Sequence, residues 1–222
     1  MLTLGIDDAG RGPVLGPMVL AGVLVDEKTS EEYKKIGVKD SKDITPKRRE
    51  FLAEKIKKSA IEFKRIKVSP EKIDSSLTTG TNLNSLEAIK IAKIINLINS
   101  NPNRKLKVIV DCPSTNISSW TDFLKTKVEN LSNLEISCEH KADRNHISVS
   151  AASILAKQKR EDEVGKLKKE FGEIGSGYPS DPVTCKFLEK NADKLKDKNL
   201  FRKTWQTYKN AIQKSNQMKL EF

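Results

Sequence analysis

Apolar residues fall into short runs and longer helical stripes that alternate along the chain. Residues 2–6 form one compact apolar run and 17–25 a second, which predicts two buried strands joined as a hairpin. Thr45 followed by Pro46 marks a helix start, Thr at the N-cap and Pro at the first helical position, with the helix running to about residue 60. Residues 61–68 alternate and predict a third strand, and the Ser- and Thr-rich stretch 70–80 reads as a loop. Leu86, Ile89, Ile91, Ile94, Ile95, Leu97 and Ile98 then recur at helical spacing and stop before Asn101-Pro102, predicting a crossover helix. A fourth strand is expected at 107–111, a helix at 120–131 and a fifth strand at 134–140 with Leu134, Ile136 and Cys138 inward. Residues 148–171 predict one long helix, small and apolar in its first half and almost wholly charged from 157 to 169. Helical segments at 183–190 and 203–215 follow, the second anchored by Trp205. The succession predicts an α/β fold: a mixed sheet flanked by helices, with a C-terminal helical appendage.

Acidic residues stand where these strands end. Asp7 and Asp8 close the first strand and lead into Gly10-Arg11-Gly12. Successive side chains on a regular strand point to opposite faces, so both can serve one site only if the chain bends at Asp8. Gly10 and Gly12 bare backbone N–H groups on either side of Arg11, donors suited to phosphate or sugar oxygens. Asp111 closes the fourth strand and Asp143 immediately precedes the long helix. Functional groups gather outside such strand ends in open α/β sheets, and Asp111 meets Asp7 if their strands are neighbours. Four carboxylates can supply the shared oxygen ligands of two divalent cations about 3.5–4 Å apart, the apparatus of metal-assisted attack on a nucleic-acid backbone. Taken alone, Asp7-Asp8 also fits a solvated turn.

Charge moves the balance toward nucleic acid. The 222 residues carry 41 Lys and Arg against 30 Asp and Glu, a net charge of +11, as expected where the partner is a polyphosphate; a basic surface kept for solubility is the plainer alternative. No apolar stretch approaches the ~20 residues of a membrane span and no signal-peptide pattern opens the chain, so a cytoplasmic protein is expected. Cys112, Cys138 and Cys185 are far apart with no C-x-x-C, which favours reduced, inert thiols. Cys138 with His140 lacks a second pair to complete a metal site, and structural roles are expected for His140 and His146.

Seven segments together resemble the ribonuclease HII (type 2 ribonuclease H) family, in its archaeal and eukaryotic-like branch. They are the run 5–18 (GIDDAGRGPVLGPM), 39–42 (KDSK), 82–84 (NLN), 110–111 (VD), 141–143 (KAD), 151–157 (AASILAK) and 175–182 (GSGYPSDP), in the family's order and spanning nearly the whole chain. The resemblance implies a ribonuclease H-like mixed sheet, with a catalytic domain at 1–172 and a substrate-binding turn and helical appendage at 173–222. It implies an endonuclease that hydrolyses the RNA strand of RNA/DNA hybrids and nicks 5′ of single ribonucleotides in duplex DNA, leaving 3′-hydroxyl and 5′-phosphate ends. Asp7, Asp8, Asp111 and Asp143 would hold two Mg²⁺ or Mn²⁺. Gly10, Arg11 and Gly12 would read the 2′-hydroxyl, Tyr178 would stack on the next sugar, and Lys42 would hold a phosphate.

The family usually has Asp-Glu where this chain has Asp7-Asp8. The shorter ligand predicts weaker use of Mg²⁺, which tolerates irregular geometry poorly, and a relative preference for Mn²⁺. The related ribonuclease HIII carries an additional N-terminal substrate-binding domain; with the first strand starting at residue 2, that domain is not expected here. The tail Gln217-Met218-Lys219-Leu220-Glu221-Phe222 resembles a shortened sliding-clamp-binding motif, although the aromatic spacing departs from it and a frayed tail is the simpler reading. A monomer is expected. Two other functions fit the same residues: a resolvase-like nuclease indifferent to the 2′-hydroxyl, and a silent hybrid-binding module in which Asp8 marks lost catalysis.

Overall fold

A computed structural model describes residues 1–39, 41 and 44–220, with the backbone alone described at 218–220. Five strands form one mixed sheet: β1 (Leu2–Ala9), β2 (Met18–Val25), β3 (Glu62–Val68), β4 (Leu106–Asp111) and β5 (Leu134–Glu139), in the order β3-β2-β1-β4-β5. β1 pairs antiparallel with β2, so the expected hairpin forms, while β4 runs parallel to both β1 and β5. Between and after the strands come α1 (Glu27–Lys35), α2 (Pro46–Ser59), α3 (Pro70–Thr78), α4 (Leu83–Ile98), α5 (Ile117–Lys125), α6 (Ala142–Asn145), α7 (Ile147–Phe171), α8 (Pro182–Asn191) and α9 (Gln206–Leu220). None of these helices is long and apolar enough to cross a membrane.

Two compact units interleave along the chain: Met1–Ala9, Val19–Ile66 and Leu83–Lys159 form one, and Gly10–Met18, Lys67–Asn82 and Arg160–Phe222 the other. In the first, β2 is buried at all its positions, which is why its sequence is continuously apolar rather than alternating. Its side chains pack with Leu52 and Ile56 of α2 and with Ala151, Ala152 and Leu155 of α7. The small residues of α7 allow close approach to the sheet. A Cβ on Gly5 would lie 2.1 Å from the Ser148 carbonyl carbon, so only glycine fits that β1 position. In the second unit, Val14, Leu15, Ile174, Leu200, Phe201 and Tyr208 belong to one apolar cluster, with the Phe201 and Tyr208 rings 5.4 Å apart.

Four local expectations change. The stretch expected as a loop at 70–80 contains α3, capped by Ser69, whose hydroxyl accepts from the Lys72 N–H at 3.2 Å, with Pro70 at the start. That is the device that opens α2, where Thr45 accepts from Arg48. Helix α1 arises where no element was expected, capped by Asp26 accepting from the Thr29 N–H at 2.7 Å. The helix expected at 120–131 lies at Ile117–Lys125, because Asn116 caps it earlier. Finally, the chain does not bend at Asp8: β1 continues through the pairs Asp8 with Leu20 and Ala9 with Val19.

Two glycines give opposite outcomes. Gly5→Ala should lower the stability of folding by about 2–3 kcal/mol, because backbone rather than a flexible side chain blocks the new methyl. Gly165→Ala, inside α7 with nothing within 4 Å of the new Cβ, should raise it by about 0.5–1 kcal/mol. Urea titration of both variants measures the two signs.

Candidate active site

In the first unit, the parallel pairing of β1 with β4 brings Ile6 opposite Val110. One residue beyond that pair, on each strand, stand Asp7 and Asp111. Asp7 is 6% exposed, whereas Asp8, next along the strand, is half-buried. Burial pushes the Asp7 carboxyl well above the usual carboxylate range, and the charges of Asp8 and then Asp111 push it the same way. The Ser153 hydroxyl and the Asp8 N–H, 2.7 Å from Asp7 Oδ1, work against that rise without cancelling it. Asp111 Oδ1 accepts the Ala142 N–H at 2.9 Å, which ties the start of α6 to the end of β4. Lys141, in the left-handed conformation with φ 57°, turns the chain sharply there. Asp143, 4% exposed, is thereby set one residue beyond the N–H that Asp111 holds. The charges of Asp8 and Asp111 both act on Asp7. With β1 straight through Asp8, however, the expected bend that would turn both carboxylates to one face is not made. Asp143 follows Ala142, the residue whose N–H Asp111 holds.

A carboxylate cluster of this kind is unfavourable by itself and suited to hard cations. Among the described residues, no group of three or more His, Cys, Asp and Glu side chains is assembled so as to hold a metal ion as it stands. The donor set fits divalent cations by charge and by oxygen chemistry, with the remaining ligands left to water and substrate. The nearby histidines are tied elsewhere: His140 Nδ1 lies 3.0 Å from the Cys112 carbonyl oxygen, and His146 Nε2 lies 2.9 Å from Glu139 Oε2. That bond to His146 holds the Glu139 carboxyl below its usual range. Burial pushes the Cys138 thiol up to about 11, so it is not a ready thiolate ligand.

The second unit holds the other expected contacts. The chain leaves β1 at Gly10, whose φ of +85° is readily adopted by glycine alone. Val14 donates its N–H to the Gly177 carbonyl at 2.8 Å, joining the loop to the turn that carries Tyr178. A Cβ on Gly12 would meet the Tyr178 ring at 3.7 Å, so Gly12 and Tyr178 are neighbours. The Arg160 guanidinium lies 5.3 Å from the centre of that ring and donates to the Ser176 carbonyl at 3.1 Å. Asp181 accepts from the Ser176 N–H at 2.6 Å and the Val183 N–H at 2.9 Å, bonds that hold its carboxyl far below the usual range and keep the turn rigid. Tyr178 itself is 39% exposed.

Lys42 lies outside the described residues, as do Glu221 and Phe222 of the proposed clamp-binding tail. Several residues that hold the site carried no assigned role in the sequence. Ser153 bonds Asp7, and its hydroxyl lies 2.9 Å from that of the buried Ser41. Both serines sit inside the segments 39–42 and 151–157 that carry the resemblance, which was the available signal. Arg160 reads as one more member of the charged run 157–169 and Arg202 as one of two adjacent cations, and nothing in the sequence marks either for burial.

A five-stranded mixed sheet of this order flanked by helices is the ribonuclease H-like fold. The profile described as "Ribonuclease HII" matches residues 4–208. Ribonuclease HII of Methanococcus maripaludis (strain C6) is 43% identical over 221 residues, covering 99% of this chain and 90% of the relative. The crystal structure of ribonuclease H2 from Pyrococcus horikoshii superposes with a TM-score of 0.86 at 37% identity, covering 96% and 98% of the two chains. The ribonuclease HII in the PCNA:RNase HII complex from Archaeoglobus fulgidus gives 0.81 at 35%, covering 93% and 96%. The chain belongs to the ribonuclease HII family. It is a ribonuclease H, an endonuclease acting on RNA paired with DNA.

The raised pKa of Asp7 makes a test in cation-free buffer. A carboxyl with a folded-state pKa above its unfolded value adds stability at low pH and loses it as pH rises through the folded pKa. Asp7→Asn removes that loss. The melting temperature of the variant minus that of the wild type should therefore grow from pH 4.5 to pH 8, by about 2–4 °C for each ~1 kcal/mol of relieved repulsion. A difference independent of pH would show that Asp7 is not the strained carboxyl.

Proposed function

We propose that this chain nicks duplex DNA on the 5′ side of a single embedded ribonucleotide as well as cutting RNA/DNA hybrids, leaving 3′-hydroxyl and 5′-phosphate ends. The observation that carries the reading is the buried Asp7, with its charge opposed by both Asp8 and Asp111. Such crowding is relieved when divalent cations are bound. Asp7, Asp8, Asp111 and Asp143 would hold two of them, Mg²⁺ or Mn²⁺. When bound, such a pair supplies activation of a water and stabilisation of the leaving 3′-oxygen.

The protein's own groups then divide the remaining work. Ser153 orients Asp7 through its hydroxyl, and the Ala142 N–H orients Asp111. The backbone N–H groups of Gly10, Arg11 and Gly12 bind the 2′-hydroxyl, the group that separates RNA from DNA. Tyr178 stacks on the adjacent deoxyribose, its ring steadied by Arg160. Lys42 holds a phosphate. The net charge of +11 draws the duplex in and makes affinity fall steeply with salt. The shorter Asp8 gives a relative preference for Mn²⁺. The tail from Gln217 to Phe222 is the segment through which a sliding clamp would be engaged, in line with the clamp complex of the Archaeoglobus relative. In this reading the protein acts as a cytoplasmic monomer in ribonucleotide excision repair and DNA replication.

The test is a duplex DNA carrying one ribonucleotide, incubated in Mg²⁺ and in Mn²⁺ beside an all-DNA duplex. One nick 5′ of the ribonucleotide is expected, absent from the all-DNA duplex and reduced about 10³-fold or more in Asp7→Asn. Cleavage of both duplexes alike would instead indicate a nuclease blind to the 2′-hydroxyl. Asp8→Glu should raise the ratio of the Mg²⁺-supported to the Mn²⁺-supported rate, and an unchanged ratio would remove the argument from side-chain length.

A further inference from the structure

Arg202 is an arginine with 0% exposure. A guanidinium taken wholly out of water is costly unless its donors are taken up. Here Nε donates to the Gly16 carbonyl at 3.1 Å, Nη1 to the Arg11 carbonyl at 2.8 Å and Nη2 to the Gly10 carbonyl at 2.6 Å. The guanidinium also lies 5.0 Å from the centre of the Trp205 ring, and the indole Nε1 donates to the Gly12 carbonyl at 3.1 Å. The backbone continues the clamp: Arg202 N–H donates to the Val14 carbonyl at 2.9 Å, Gly16 N–H to the Leu200 carbonyl at 3.0 Å, and Leu15 bridges Phe201. Residues 200–205 therefore engage the carbonyls of Gly10, Arg11, Gly12, Val14 and Gly16.

A peptide unit is planar, with its C=O and N–H pointing in opposite directions, so holding the Gly10 and Arg11 carbonyls sets the aim of the Arg11 and Gly12 N–H groups. The Gly12 and Gly16 carbonyls precede Pro13 and Pro17, which have no N–H, and holding them fixes only the path of the loop. We infer that Arg202, its guanidinium set against the Trp205 ring, is the positioning residue for the 10–16 loop, fixing the two peptide planes whose N–H groups, those of Arg11 and Gly12, meet the ribonucleotide's 2′-oxygen. The inference rests on the reading of that loop given above. The chemistry requires arginine: its planar fork reaches three carbonyls in fixed directions, whereas a lysine ammonium is a point charge on a flexible stem. A loop held slackly would still bind duplex through the protein's net charge but would lose the alignment on which turnover depends.

The full chain carrying Arg202→Lys, Arg202→Met or Trp205→Phe is compared with wild type on three substrates. These are duplex DNA with one ribonucleotide, the same duplex with deoxyribose at that position, and a continuous RNA/DNA hybrid. Melting curves report the folded fraction. On the single-ribonucleotide duplex, kcat should fall about 100-fold in Arg202→Met and about ten-fold in Arg202→Lys and Trp205→Phe, with KM within about three-fold of wild type. The Mn²⁺ concentration giving half-maximal activity should not move. A merely structural arginine would lower activity only in proportion to the folded fraction, with no split between kcat and KM and no graded rescue by lysine. That pattern, or wild-type kcat in the folded variants, overturns the inference. If Arg202→Met does not fold, the other two variants decide by the same criteria. Equal nicking of the deoxyribose duplex by wild type overturns the loop reading and the inference with it; full retention of ribonucleotide discrimination and kcat by Arg202→Met overturns the inference alone.

Discussion

The first unit is built around an electrostatic conflict. Parallel pairing of β1 with β4 sets Asp7 and Asp111 at the ends of adjacent strands, with Asp7 buried and Asp8 next to it. Like charges in a low-dielectric setting repel strongly, and only a surrounding structure that over-determines the arrangement can hold it. That structure is visible in the chain: β2, apolar and buried throughout, on one side of β1; α7, pressed against Gly5; and the Ser153 hydroxyl and Ala142 N–H on Asp7 and Asp111. The core supplies the stability that the carboxylates withdraw, which is the usual relation between a preorganised site and its scaffold.

The second unit solves a different problem with related physics. Its loop and its turn have no regular secondary structure, so their shape depends on side chains that reach backbone groups. Arg202 and Trp205 hold the carbonyls of the loop. Asp181 and the fully buried Thr184 hold the amides of the turn, Thr184 Oγ1 accepting from the Gly177 N–H at 2.9 Å. Arg160 steadies the Tyr178 ring itself. Each of these side chains is tied to groups distant in sequence or to more than one partner. A rigid backbone results.

The strands and α7 were legible because their signal is local: apolar runs of strand length and small residues at helical spacing. The placement of Asp7 and Asp111 at the close of their strands was legible, whereas Asp143, expected in a loop just before the long helix, lies in the short α6, opened by the left-handed turn at Lys141 that no sequence pattern marks. Other features depend on information that sequence patterns weigh poorly. Helix α3 was hidden by its Ser and Thr content, although Ser69-Pro70 opens it as Thr45-Pro46 opens α2. The bend expected at Asp8 falls at Gly10, because ladder pairing with Leu20 and Val19 holds β1 straight through Ala9. Arg202 sits in a stretch reading Phe-Arg-Lys-Thr-Trp, where one cation looks like the next, and only tertiary structure buries one and leaves Lys203 exposed.

Relief of the carboxylate conflict by cations is the claim on which the account rests, and thermal melting with and without Mn²⁺ at pH 8 tests it most directly. At a cation concentration about 100-fold above Kd, the melting temperature of the wild type should rise by about 5 °C or more, and that of Asp7→Asn by much less. No rise in the wild type, or an equal rise in Asp7→Asn, would contradict it.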